Sequence, residues 1–189
     1  MIKEDNRISK KERGLLKELV GRRITRIEAA IVSPPNVAWN TIRIHSENTS
    51  IDVNCYLTQV AINDDGDSDE FGVISICKAP KSKLSIDTIS SETEVFEIDK
   101  MVKCITVLEN KVIALENKRP FCEREFTKSI VIDFEDETLL IDKLAWFDEM
   151  LKFSLGSDVQ RFIYDESHDW ESDEDDDITF EYTLKKVEL

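Results

Sequence analysis

Oxygen-bearing side chains crowd the stretch Asn63-Asp64-Asp65-Gly66-Asp67-Ser68-Asp69-Glu70. Asp65, Asp67 and Asp69 imitate the opening of a calcium loop, in which oxygens at alternate positions surround a hard cation. The rest of that loop is missing, because Glu70 stands where its glycine belongs and Ile76 where its final glutamate belongs. A solvated acidic hairpin loop is therefore the first reading. A divalent-cation module, with calcium held by Asp65, Asp67, Asp69 and Glu70, is the alternative.

A second acidic stretch, Asp165 to Asp177, holds nine carboxylates in thirteen residues and one aromatic, Trp170. Mutual repulsion resists compaction of such a run. Trp170 adds contact area beside charge, the combination with which proteins capture basic surfaces. Together with the shorter acidic turn at 133–137, this nominates Asp133, Glu135, Asp136, Trp170, Glu171, Asp173, Glu174, Asp175 and Asp176 as partner-binding residues.

Catalytic chemistry has little to stand on. His45 and His168 are the two histidines, and no local motif supplies either with a nucleophile and an orienting group. There is no G-x-S-x-G, no H-E-x-x-H and no glycine-rich phosphate loop, so no catalytic residue and no cofactor is expected. Cys55, Cys77, Cys104 and Cys122 lie 18 to 27 residues apart, without the close ligand pairs of a structural zinc site. Free thiols packed as small hydrophobes are expected instead. Trp39 and Trp146, with apolar neighbours, read as packing residues.

The chain has 189 residues, 34% of them charged, and a formal net charge of −15. Residues 1 to 26 run the other way, with nine Lys or Arg against four acids. The strongly acidic remainder repels nucleic acid and anionic lipid and steers basic partners inward. No apolar run approaches the ~20 residues that span a bilayer, and the N-terminal residues lack a secretory apolar core. A cytoplasmic, non-enzymatic protein-interaction domain that binds a basic protein partner is expected, in the manner of bacterial immunity proteins and toxin inhibitors.

Periodicity supplies the elements that must carry these residues. Ser9 and Glu12 form a capping box ahead of Leu15, Leu16, Leu19 and Val20, so a helix is predicted over about 10–20 and ended by Gly21. Strands are predicted at 24–32, 40–46, 50–62, 71–77, 102–115, 129–134 and 138–147, with a short one at 159–164 and a closing one from Ile178. Leu139 to Leu155 fits a bent strand or a helix, and strand is preferred. The pattern Ile24-Thr25-x-Ile27-Glu28 echoes Ile105-Thr106-x-Leu108-Glu109, and 88 residues separate the hairpin 41–53 from a similar one at 129–141. The expected fold is α+β, mainly antiparallel, with two sequence-related β units packed as one body behind a short N-terminal helix. The segments are 1–21, 22–98 and 99–189.

Overall fold

Ser9 opens the one helix among the described residues, α1 (Lys10–Lys17), which follows the short strand β1 (Ile2–Asn6). Glu12 N–H donates to the Ser9 hydroxyl and Ser9 N–H donates to the Glu12 carboxylate, so the predicted capping box is present. Leu16 and Leu19 are fully buried. The helix stops at Lys17 with Glu18 as its C-cap, short of the predicted residue 20 and of Gly21, because tight turns take over at Leu19 and Val20. Gly21, at φ 75°, reverses the chain after those turns and donates to the Val102 carbonyl, a conformation glycine adopts without steric cost. The computed structural model describes residues 1–33, 36–61, 68–81, 84, 93–145, 148–159, 163 and 178–189.

Ten further strands follow: β2 (Arg23–Ser33), β3 (Val37–Ser46), β4 (Ser50–Ala61), β5 (Ser68–Lys78), β6 (Thr93–Met101), β7 (Cys104–Glu116), β8 (Arg119–Asp133), β9 (Thr138–Lys143), β10 (Met150–Gly156) and β11 (Ile178–Glu188). The sheet-dominated α+β class is thus established. The chain meanders through two antiparallel runs ordered β5-β4-β3-β2-β6 and β10-β9-β8-β7-β11. The ladder Thr41↔Asn54 to His45↔Ser50 has the register of Ser129↔Asp142 to Asp133↔Thr138, offset by 88 residues at each of the five pairs. The other echo is three residues out of step, since Ile27 pairs Ile44 and Ile105, not Leu108, pairs Ile132.

Alternation along these strands sends Ile42, Ile44, Ile51 and Val53 inward, and likewise Ile130, Ile132, Leu139 and Ile141. Both runs close on one core, which also holds Ile24, Ile27, Ile105, Leu151 and Phe153. The runs are stitched where β10 pairs the start of β3 and β1 lies parallel to the start of β8. A second cluster joins the β4–β5 hairpin (Val60, Phe71, Val73) to Val112 and Phe126, with Phe180 and Tyr182 packed against it.

Three strand segments escaped the periodicity. β1 carries three consecutive charges, Lys3, Glu4 and Asp5, β6 falls between the predicted strands, and β8 begins at Arg119 although Pro120 follows. Asn117 and Lys118 both have positive φ, which makes a two-residue hairpin turn of the kind that matches strand twist. Pro120 sits at a register shift, where the missing N–H costs the ladder little. β6 runs across the expected boundary at residue 98 and pairs with β2. The predicted strand at 138–147 ends at Lys143, and the Leu139–Leu155 stretch holds most of two strands, β9 and β10, instead of one bent strand. Of the segment 159–164 only Val159 and Ile163 are described, and Val159 is buried against Leu108, Val131 and Leu140.

Candidate functional site

The outward positions of the β2–β3–β4 sheet collect the polar groups closest to a catalytic arrangement. His45 Nε2 lies 3.1 Å from Glu28 Oε2, and His45 Nδ1 lies 3.0 Å from the Ser50 hydroxyl. With the proton on Nε2, the ring donates to the carboxylate and accepts from the serine. This is the wiring of a hydrolytic relay, which also needs a substrate cleft beside the hydroxyl and donors for an oxyanion. The two described clefts lie beside α1, and neither is lined by Glu28, His45 or Ser50.

The same ladder position in the second run explains the arrangement better. There Thr138 donates to Asp133 at 2.6 Å, and the Cys104 thiol donates to the other Asp133 oxygen at 3.2 Å. His45–Ser50 and Asp133–Thr138 are equivalent cross-strand pairs, each braced by a third residue from the adjoining strand. Further along, the Thr41 hydroxyl donates to Asn54, as Ser129 donates to Asp142. These contacts close the hairpins. Between them, Arg43 and Asp52 form a buried two-point ion pair at 2.7 and 3.0 Å, where the second run has the apolar pair Val131 and Leu140. A charge pair this buried is costly to break from one side.

The nominated acidic turn is largely engaged with its own chain. Both Asp133 oxygens are occupied, and Lys100 Nζ binds Asp136 at 2.7 Å and Glu137 at 3.0 Å. The ammonium's hydrogen bond holds the Asp136 carboxyl below its ordinary range. Glu135 is exposed at the tip. Asp69 and Glu70 stand in β5 opposite Val60 and Gln59, and as strand neighbours they face opposite sides of the sheet. Among the described residues no cluster of three or more metal-ligating side chains forms. Asp65, Asp67, Trp170, Glu171, Asp173, Glu174, Asp175, Asp176, His168 and Trp146 lie outside the described residues.

The basic N-terminal segment folds back on the acids of its own chain. Arg7 binds Asp5 and Glu125, Arg13 binds Glu109, and Arg124 links Glu4 to the Ala61 carbonyl. Arg7, Lys10, Arg13 and Lys185 line a cleft of about 620 Å³ with Asp5 and Glu109. The cysteines are all free thiols, although Cys77 is exposed, contrary to the packed position expected for it. Burial pushes the Cys55 thiol up to about 12, and burial with the nearby Asp133 carboxylate also raises Cys104.

Sequence reasoning missed Glu28, Arg43, Asp52, Lys128 and Lys143. Lys128 and Lys143 are nearly inaccessible; Lys128 lies 3.4 Å from Asp142, and Lys143 donates to the Gly72 carbonyl and rests over the Phe71 and Phe126 rings. Arg43 and Asp52 could have been found as opposite charges on facing strands. Nothing local marks a lysine whose partners come from a distant hairpin. No protein-family model matches the chain, and no curated protein or solved structure shows significant similarity to it.

Proposed function

We propose that this chain is a non-catalytic protein-binding domain, built from two related β units, whose acidic surface captures a basic protein partner. The observation that carries this reading is where the cations are used. In a chain of net charge −15, Arg7, Arg13, Arg43, Lys100, Lys111, Arg124 and Lys128 are each tied to a carboxylate of the same chain. The surplus acid is left to set the external field, which speeds encounter with a basic surface and repels nucleic acid. Glu135 and Asp136 belong to the proposed surface, together with Trp170, Glu171 and Asp173 to Asp176. A bacterial immunity protein or toxin inhibitor is the class that this size and acidity suit, and free thiols suit a reducing cytoplasm.

The two-unit reading draws support from the shared strand order and from the five ladder pairs at one constant offset. Paired hydrogen bonds at equivalent positions add to it, because such contacts are independent of the apolar alternation that any β protein shows. Divergence then falls where the copies differ, at Arg43–Asp52 against Val131–Leu140.

Capture from lysate tests the binding reading. The immobilised chain should retain one basic protein, with an association rate that falls about tenfold between low and physiological salt. A rate indifferent to salt would remove electrostatic capture as the mechanism.

A further inference from the structure

β11 has one ladder partner among the described residues, β7, and pairs with it over 11 residues without a register shift. A long regular edge invites another strand unless something blunts it. At the other end of the strand path, β6 is blunted: Asp99 kinks it at φ 52°, and Glu94, Glu97 and Asp99 make it acidic. β11 has no such kink and no excess of one charge. Its charges, Glu181, Lys185, Lys186 and Glu188, cancel, so the strand is a neutral stripe on an acidic molecule where two copies can approach.

The ladder restricts how they can meet. Leu189 N–H donates to the Ile105 carbonyl, so along the regular strand odd-numbered residues turn their backbone groups toward β7 and even-numbered residues turn theirs outward. An antiparallel second copy must then hydrogen-bond even residues to even residues, which centres any two-fold register on a single residue. Among registers that keep more than half the strand paired, only the one centred on Thr183 sets opposite charges face to face. It places Glu181 against Lys185 of the second copy, and Lys185 against Glu181, at non-hydrogen-bonded positions where side chains approach closest. Thr183 meets its own copy on the axis, and Leu184, 49% exposed, is covered by the second Tyr182.

We propose that two copies of this chain associate through β11, antiparallel about a two-fold axis at Thr183, so that one sheet continues into the next. A single shared edge makes a small interface, and the dimer belongs to the weak, reversible class.

Sedimentation velocity of the purified chain tests this without any basic partner, so its outcome is independent of the capture experiment. As concentration rises from low to several hundred micromolar, the 21.8 kDa species should give way to one of twice that mass. Glu181→Lys and Lys185→Glu each place like charges opposite one another and should weaken association by roughly tenfold, whereas the double exchange should restore it. Thr183→Cys in a Cys77→Ser background should cross-link on oxidation, because facing Cα atoms about 4.5 Å apart lie within disulfide reach. A monomer at every concentration with no cross-link would overturn the proposal, as would a dimer that neither single substitution weakens.

Discussion

Glu12 shows how much one side chain can do here. Its carboxylate accepts from Ser9 N–H at 2.7 Å to cap α1 and from Ile76 N–H at 2.9 Å to tie the helix to β5. Burial pulls its pKa up, but the Ser9 hydroxyl and these two backbone N–H groups outweigh burial and leave it below its ordinary value. A carboxylate with a lowered folded pKa stabilises above its unfolded pKa of ~4.3 and loses that contribution as pH falls through the folded value. Glu12→Gln should therefore cost about 1 kcal/mol at neutral pH in urea denaturation and flatten the loss of stability below about pH 4. The thiols diverge for the same physical reason. Cys77, exposed, should react with iodoacetamide within minutes at pH 8, whereas Cys55, buried and raised to about 12, should stay unmodified until the fold opens. Mass mapping of the labelled peptides checks both statements.

The β3–β4 and β8–β9 hairpins carry the same ladder with different contents, and that comparison yields a test of their equivalence. Asp52→Ala removes the carboxylate that faces a buried guanidinium and should cost roughly 3–5 kcal/mol. Replacing Arg43 and Asp52 together by the Val and Leu found at positions 131 and 140 should recover most of the loss, because the second hairpin packs that apolar pair at the same site. Chemical denaturation of the single and double variants decides it, and a double variant as unstable as the single would count against equivalent environments. Much of this level was legible in the residues. Alternating Ile-x-Ile runs located β2 to β5 and β7, and the Ser9–Glu12 spacing located α1, since one apolar face leaves a period and a cap leaves a signature. β1 and β6 left neither. β1 is held at a sheet position by a parallel ladder to β8 and by Glu4 contacts to Ala61 and Arg124, partners 57 and 120 residues away. The Glu28–His45–Ser50 relay was invisible for the same reason, because its carboxylate comes from a third strand.

At the scale of the whole molecule, charge and topology divide the work. The two meanders share one core, and Arg124, Lys128 and Lys143 bind carbonyls or carboxylates from other strands, which holds the elongated hairpins together. That leaves the chain's acidic surplus to act on its surroundings, and the net charge of −15 states its sign. The sequence-level expectation of an acidic binding surface rested on clustered carboxylates. Within the turn at 133–137, Asp133 and Glu137 serve the fold and Asp136 shares Lys100, while Glu135 is exposed at the tip. Whether the surface captures a basic protein is tested most directly by paired baits in one lysate, the natural chain and a variant carrying Glu135→Gln, Asp173→Asn, Glu174→Gln, Asp175→Asn and Asp176→Asn. The account predicts that the natural chain retains a basic protein that the neutralised variant releases or binds at least tenfold more weakly. Equal retention by both baits, or retention of no basic protein by either, would contradict it.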